Sequence, residues 1–115
     1  MNNSDEADKP LKILVVEDEV LLALDLESHL IAMGHRVIGV ASDAADAFAL
    51  AENEAVDLAL VDLNLRDGFT GPQIATKLAH EHGVVVIFVT GSSEQIPADY
   101  AGALGAIAKP WSAET

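Results

Sequence analysis

The chain has 115 residues, a length typical of one domain, and its 19 acidic and 6 basic side chains give a formal charge of −13. This balance argues against binding to nucleic acid or to an anionic membrane surface, because both partners require clustered lysine and arginine. Cysteine is absent, which excludes disulfides and thiol chemistry. No apolar run approaches the roughly 18 residues of a membrane span, and we expect a cytoplasmic protein.

The first predicted elements follow a polar segment. Residues 1–10 are polar and aperiodic, which predicts a solvated N-terminal tail and a domain over residues 11–115. The apolar run 13–16 predicts a buried strand. Leucines at helical spacing, followed by Gly34 as a stop signal, predict a helix over residues 20–33.

Two more strand and helix pairs follow in the middle of the chain. The run 37–41 predicts the second strand, and either Ser42 or Asp43 is expected to cap the helix after it. The run 58–61 predicts the third strand. A Gly-Pro pair at 71–72 then opens the next helix, because proline is well tolerated in a first helical turn.

The C-terminal part contains two more predicted strands. The run 84–89 predicts the fourth strand, residues 97–103 predict a short helix, and residues 106–108 predict the last strand. Only five residues follow Pro110, which is too few for a fifth helix. We therefore expect the last helix to be absent or truncated.

The strands are apolar throughout and do not alternate with polar residues. This pattern is typical of strands whose two faces are both covered by helices. Together with the alternation of strands and helices, it predicts an α/β fold with a doubly wound, five-stranded parallel sheet. In such sheets ligands bind beyond the carboxyl ends of the strands.

Polar side chains follow four of the predicted strands at that edge. Glu17 and Asp18 follow the first strand, Asp62 the third, Thr90 the fourth and Lys109 the fifth. Each residue taken alone is explained at least as well by a structural role, such as a helix cap, a turn residue or a surface charge. Their coincidence at one edge of the sheet favours a common site.

Three carboxylates in a partly desolvated cleft repel one another unless a cation lies between them. Ligands that are all oxygen atoms favour Mg²⁺, which commonly also binds a substrate phosphate. We therefore expect phosphoryl chemistry with Asp62 as the nucleophile. Lys109 would neutralise the phosphoryl oxygens, and the Thr90 hydroxyl would donate a hydrogen bond to one of them.

Other chemistries find little support in the sequence. His80 and His82 are two residues apart near the end of a predicted helix and cannot share a face. The G-x-S-x-G hydrolase pattern and the G-x-x-x-x-G-K and G-x-G-x-x-G nucleotide-binding patterns do not occur.

Four segments taken in order, ILVVEDE, LALVDLNLRDG, VIFVTG and GAIAKP, resemble the receiver domain of two-component response regulators. The resemblance extends from residue 12 to about residue 111. It implies a flavodoxin-like sheet with the strand order 2-1-3-4-5. It also implies a cytoplasmic signalling protein that is not an enzyme beyond catalysing its own phosphorylation and slow dephosphorylation.

The resemblance assigns roles to the residues that follow the strands. It implies that Asp62 accepts a phosphoryl group, that Thr90 is the switch hydroxyl and that Lys109 binds the phosphoryl group. The implied donor is a sensor histidine kinase or a histidine phosphotransfer protein. The implied output is contact with a downstream protein, by a monomer or a weak homodimer.

The implied Mg²⁺ site has four members. The resemblance implies that Asp18 is a direct ligand, that Glu17 lies in the outer shell and that Asn64 supplies a backbone carbonyl, with the phosphoacceptor Asp62 as the fourth member. Asn64 also argues against a rival interpretation, in which the chain is a Mg²⁺-dependent phosphatase. A Mg²⁺-dependent phosphatase with an aspartyl nucleophile requires a second aspartate at that position as the general acid, and asparagine cannot transfer the proton.

Two departures from the usual receiver pattern affect the switch. The position three residues before Lys109 normally holds an aromatic side chain, which turns inward when the switch threonine moves, but here it is Ala106. That coupled movement is therefore impossible in its usual form. Tyr100 is the candidate substitute for the missing ring. The chain resembles the receiver variant with a Phe-Ala-Thr-Gly signature, found among alphaproteobacterial single-domain and stress-response regulators. Glycines weaken helix formation after the fourth strand, so we expect phosphorylation to order residues 91–105 through Thr90.

Two other interpretations stay open on the residues alone. A flavodoxin-like cofactor binder requires a hydroxyl- and glycine-rich phosphate loop after the first strand, where this chain has Glu17, Asp18 and Glu19. A receiver fold that no longer accepts phosphate would act only as a binding module. The presence of all the candidate site residues argues against that second alternative.

Overall fold

The computed structural model describes residues 9–109. Lys9 and Pro10, the last two residues of the predicted tail, are exposed. The rest of that tail lies outside the described residues, and so does the segment after Lys109 in which a fifth helix is predicted to be absent.

Strands and helices alternate along the described chain. The strands are β1 (Lys12–Val16), β2 (Arg36–Ala41), β3 (Leu58–Val61), β4 (Val85–Thr90) and β5 (Gly105–Ala108). The α-helices within residues 9–109 are α1 (Val20–Ala32), α2 (Ala44–Asn53) and α3 (Gly71–Glu81). All strands are parallel and lie in the order β2-β1-β3-β4-β5, which confirms the predicted flavodoxin-like sheet.

The sheet separates two layers of the hydrophobic core. On one face, Ile13 and Val15 of β1 pack with Ala23 and Leu30 of α1. The opposite face packs against α2 and α3 in a larger cluster, where Phe88 is fully buried. Because both faces of β1 and β3 are covered, their side chains are apolar without alternation.

Local sequence explains where the helices begin. The Asp43 carboxylate accepts a hydrogen bond from the Asp46 amide at 2.9 Å and caps α2, so of the two predicted caps Asp43 is the one used. Pro72 lies in the first turn of α3, where its missing N–H removes no helical hydrogen bond. In the part of the chain that the structure describes, each helix is too short or too polar to cross a bilayer.

The segment between β4 and β5 differs from the prediction. The short helix predicted over residues 97–103 is reduced to a single 3₁₀ turn, Tyr100–Gly102, and a further 3₁₀ turn, Ser93–Gln95, precedes it. Tyr100 and Ala101 have φ angles of 58° and 50°, a left-handed conformation that cannot continue a right-handed helix. The turn is attached to α3 by the Thr76 hydroxyl, which donates to the Ala101 carbonyl at 2.9 Å.

Candidate functional site

A cleft opens at the carboxyl edge of the sheet, between the segments that follow β1, β3, β4 and β5. The sequence-predicted residues Asp18, Asp62, Asn64, Thr90 and Lys109 all line it. The remaining lining residues are Glu19, Gly91 and Ser92. The parallel strands produce this convergence, because their carboxyl ends all meet at one edge.

Three carboxylates cluster beside the cleft, and two of them, Asp18 and Asp62, line it. Glu17, Asp18 and Asp62 each place one carboxylate oxygen within 4.8 Å of the others. Glu17 and Asp62 are buried, with 6% and 8% of their surfaces exposed, whereas Asp18 is exposed. The structure therefore brings together the acidic residues that the sequence placed at the ends of two different strands.

Lys109 lies between two of these carboxylates. Its Nζ is 2.6 Å from Glu17 Oε1 and 3.0 Å from Asp62 Oδ2, and Glu19 Oε2 lies 3.9 Å away. The Lys109 backbone amide donates to the Thr90 carbonyl at 2.8 Å, which extends the pairing of β4 and β5 as far as the cleft. The ammonium group thus offsets the repulsion between two buried acids.

Burial and pairing shift the titration of this group of side chains. Burial raises the pKa of Glu17, although hydrogen bonds from Lys109 and from the Glu19 amide oppose the shift. Burial alone would lower the pKa of Lys109, but its hydrogen bonds to Glu17 and Asp62 outweigh that effect and raise the pKa. Lys109 therefore stays protonated at neutral pH and keeps its charge inside the cleft.

Asp62 is held at both carboxylate oxygens. Its Oδ1 accepts a hydrogen bond from the Leu63 amide at 2.7 Å, and its Oδ2 accepts one from Lys109. The Asp62 amide donates to the Val16 carbonyl at 3.0 Å, which fixes the residue against the end of β1. The carboxylate is oriented before any ligand arrives.

Thr90 places a buried hydroxyl beside the cleft. Only 1% of its surface is exposed, and its Oγ1 accepts a hydrogen bond from the Ser92 amide at 3.0 Å. This contact joins the hydroxyl to the beginning of the segment between β4 and β5. Any rotation of the hydroxyl toward a ligand on Asp62 therefore alters a backbone contact in that segment.

Asn64 lies on the loop between β3 and α3, where a carboxylate fixes the backbone. Asp67 accepts hydrogen bonds from the Thr70 hydroxyl at 2.6 Å and from the Ala44 amide at 3.1 Å. The side chain of Asn64 donates from Nδ2 to Gln95 Oε1 at 3.1 Å. The loop is thereby attached both to the beginning of α2 and to the first 3₁₀ turn.

Sequence reasoning missed two residues next to the site. Gln95 contacts Asn64 from 31 positions away, and no motif marks it. Gly71 lies so close to the loop that a Cβ atom there would be 2.2 Å from the Asp62 carbonyl oxygen. The Gly-Pro pair signalled a helix start, but only the fold shows this contact.

The cleft suits a hard divalent cation. Its clustered donors Glu17, Asp18 and Asp62 are all carboxylates, and Mg²⁺ prefers oxygen ligands while keeping several waters. Phosphate oxygens commonly complete such a site. The donor set therefore fits Mg²⁺ better than zinc or copper, which favour nitrogen or sulfur ligands.

Comparison with characterised proteins gives matches over most of the chain. A model of the response regulator receiver domain matches residues 13–115. The phyllosphere-induced regulator PhyR of Methylorubrum extorquens is 40% identical over 90 residues, which cover 77% of this chain and 34% of that protein. The transcriptional regulatory protein PdtaR of Mycobacterium tuberculosis is 30% identical over 112 residues, which cover 93% of this chain and 53% of that protein.

Solved structures share the fold. The receiver domain of Erythrobacter litoralis PhyR superposes with a TM-score of 0.83 and 28% identity, covering 92% of this chain and 83% of that one. The receiver domain of the Pseudomonas aeruginosa sensor histidine kinase PA1611 has magnesium coordinated in its active-site cleft. It superposes with a TM-score of 0.77 and 28% identity, covering 90% of this chain and 88% of that one.

The matches cover most of this chain but only part of the length of its curated relatives. The chain spans about a third of the length of PhyR and about half of the length of PdtaR, the curated relatives it matches. The family model, by contrast, covers nearly all of this chain. These matches confirm the resemblance of the four sequence segments, and the chain belongs to the response regulator receiver domain family.

Proposed function

We propose that this receiver domain accepts a phosphoryl group on Asp62 from a phosphohistidine and signals through protein contacts. The observation that carries the proposal is the convergence of a buried carboxylate, a paired ammonium and a buried hydroxyl in one cleft. Asp62 Oδ2 lies 3.0 Å from Lys109 Nζ, and Thr90 lines the same cleft. If Asp62 acted only as a turn residue, it would need neither the ammonium group of Lys109 nor the hydroxyl of Thr90 in the same cleft.

The phosphoryl transfer follows from these positions. A carboxylate oxygen of Asp62 attacks phosphorus, the new O–P bond forms, and the P–N bond to the donor histidine breaks. The released imidazole nitrogen takes a proton from solvent. Lys109 neutralises the charge that spreads over the phosphoryl oxygens. The Thr90 hydroxyl, which accepts from the Ser92 amide, donates its own proton to one of these oxygens.

The proposed metal is Mg²⁺, which would supply charge neutralisation for the carboxylates and the incoming phosphoryl oxygens. Asp18 and Asp62 would hold it directly, Glu17 through water, and Asn64 through its backbone carbonyl. The clustering of the three carboxylates supports this assignment. The magnesium ion in the cleft of the related kinase receiver domain supports it as well.

The proposed donor is a sensor histidine kinase or a histidine phosphotransfer protein, and the proposed output is a downstream protein. The kinase-borne receiver domain and the regulators named PhyR and PdtaR among the similar proteins support a place in such a relay. We also propose a cytoplasmic monomer or weak homodimer.

Intact mass spectrometry tests the phosphoacceptor role. We expect incubation with Mg²⁺ and acetyl phosphate to add one phosphoryl group that hydroxylamine removes, because an acyl phosphate reacts with that nucleophile. Asp62→Asn keeps the size of the side chain but loses the nucleophilic carboxylate, so it should gain no phosphoryl group, and EDTA should suppress the gain in the wild type. An unmodified wild type with intact secondary structure would instead support a pure binding module.

The segment at residues 91–105 is the proposed switch region. It is attached to the cleft by the Ser92 amide on Thr90 and by the Asn64 side chain on Gln95. When the Thr90 hydroxyl donates to the phosphoryl group, its position becomes fixed while it still accepts from the Ser92 amide, so the segment becomes more ordered. We expect acetyl phosphate and Mg²⁺ to slow amide hydrogen exchange across residues 91–105 in the wild type.

The control for that measurement is Asp62→Asn under the same conditions. Its exchange pattern should not respond to acetyl phosphate, because the variant has no phosphoacceptor. Exchange in residues 91–105 that stays unchanged in a phosphorylated wild type would contradict the ordering of this segment and would leave the phosphoacceptor role intact.

A further inference from the structure

A side-chain hydrogen bond joins two segments at the rim of the cleft. Asn64 lines the cleft on the loop after β3, and its Nδ2 donates to Oε1 of Gln95, the last residue of the first 3₁₀ turn, at 3.1 Å. We propose that Gln95 is a positioning residue that holds the Asn64 carboxamide at this rim and slows the hydrolysis of phosphorylated Asp62. The inference rests on the proposed phosphoacceptor function.

The backbone holds Gln95 in place from the other side. Its amide donates to the Ser92 carbonyl at 2.8 Å, and the Ser92 amide donates to the Thr90 hydroxyl at 3.0 Å. A continuous path therefore leads from Asn64 through Gln95 and Ser92 to Thr90. Both ends of this path line the cleft in which Asp62 lies.

The step that the hydrogen bond between Asn64 and Gln95 would slow is the hydrolysis of the acyl phosphate on Asp62. A water oxygen attacks phosphorus, the P–O bond to Asp62 breaks, and the products are inorganic phosphate and the free carboxylate. The proton of the water leaves with the phosphate or to solvent. For in-line displacement the water approaches opposite the Asp62 oxygen, from the open side of the cleft, where Asn64 and Ser92 are lining residues.

Asn64 needs a partner to stay in one position. Its side chain is exposed, and an exposed carboxamide without a fixed partner samples several rotamers. The hydrogen bond to Gln95 restricts that motion and keeps the loop after β3 next to the 3₁₀ turn. Loss of the bond frees the carboxamide and separates the two segments, so water reaches the phosphoryl group more often.

The test measures the lifetime of the phosphorylated protein in Gln95→Met. Methionine is close in size to glutamine but lacks the acceptor oxygen. Each protein is phosphorylated with acetyl phosphate and Mg²⁺ and desalted, and the decay of the phosphorylated mass is followed. We expect Gln95→Met to lose the group about threefold to tenfold faster, as the loss of one net hydrogen bond allows.

Four matched variants separate positioning from a general structural effect. Gln95→Glu keeps an oxygen that accepts from Asn64, so its decay rate should return close to that of the wild type. Glu94→Ala changes an exposed neighbour in the same turn and should leave the rate unchanged. In an Asn64→Ala background, Gln95→Met should add no further acceleration, because its effect passes through Asn64.

The outcomes distinguish this inference from the function on which it rests. Equal decay rates for the wild type and Gln95→Met, or an undiminished effect of Gln95→Met in the Asn64→Ala background, would overturn the positioning role while leaving Asp62 as phosphoacceptor. A wild type that gains no phosphoryl group would overturn both proposals. Faster decay in Gln95→Met with recovery in Gln95→Glu supports the positioning role.

Discussion

Gly71→Ala is expected to destabilise the domain by about 3 kcal/mol or more, a large effect for adding one methyl group. The new Cβ atom would lie 2.2 Å from the Asp62 carbonyl oxygen and 2.6 Å from Leu63 Cα. Both neighbours are backbone atoms, which cannot rotate away as a flexible side chain would. The beginning of α3 must therefore move off the loop that carries Asp62.

Thermal unfolding followed by circular dichroism measures this effect. For a domain of this size the expected loss corresponds to a fall in Tm of roughly 12 °C or more. Because the Asp62 loop shifts, we also expect Gly71→Ala to be phosphorylated more slowly by acetyl phosphate. The matched control is Gly105→Ala on β5, where an added Cβ meets no atom within 4 Å. A Gly71→Ala protein as stable as this control would contradict the close packing.

The strands were predictable because each is a short apolar run that ends at a polar residue. The run 58–61, for example, coincides with β3 and is followed directly by Asp62. The leucines of α1 were less informative, because α1 carries apolar residues on more than one side. Leu21 is 82% exposed whereas Leu30 is buried, and spacing alone does not decide which side faces the sheet.

The segment after β4 was mispredicted for a physical reason. Its composition permits a helix, but Tyr100 and Ala101 adopt positive φ angles that are costly for residues with a Cβ atom. Their conformation is maintained by contacts that lie far away in sequence, including the Thr76 hydroxyl on the Ala101 carbonyl. Local propensity carries no information about such a contact.

The candidate site was predictable where topology alone determines proximity. Asp62 and Lys109 are 47 residues apart, yet parallel strands bring them to one edge and their side chains meet at 3.0 Å. The contact between Asn64 and Gln95 was not predictable in this way. It depends on the path of two loops, and loop paths follow from packing rather than from the strand pattern.

Lys109→Met is expected to destabilise the domain by about 3 kcal/mol at neutral pH, because it leaves two buried carboxylates without their cation. Lys109 Nζ contacts Glu17 at 2.6 Å and Asp62 at 3.0 Å, and both acids are buried. The matched control is Lys77→Met on α3. Lys77 is 38% exposed, pairs with Glu81 at 3.6 Å and lies over the Phe48 ring, so its loss should cost less than about 1 kcal/mol.

The pH dependence of unfolding distinguishes lost charge pairing from lost packing. In Lys109→Met the mutual repulsion of Glu17 and Asp62 raises at least one carboxyl pKa in the folded state. A carboxyl group whose pKa is higher in the folded state than in the unfolded state stabilises the folded protein only as the pH falls through that folded-state pKa. Burial already raises the pKa of Glu17 in the wild type, but the variant lacks the opposing ammonium group, so its gain on acidification should be larger.

Urea unfolding in EDTA at pH values of about 7 and about 5 makes the comparison, since the expected recovery falls in this range. The deficit of Lys109→Met relative to the wild type should shrink at the lower pH, whereas the deficit of Lys77→Met should stay constant. Under the proposed function, Mg²⁺ at neutral pH should also reduce the Lys109→Met deficit, because it neutralises the same carboxylates. A deficit independent of both pH and Mg²⁺ would show that Lys109 contributes through the packing of its aliphatic stem and not through its charge.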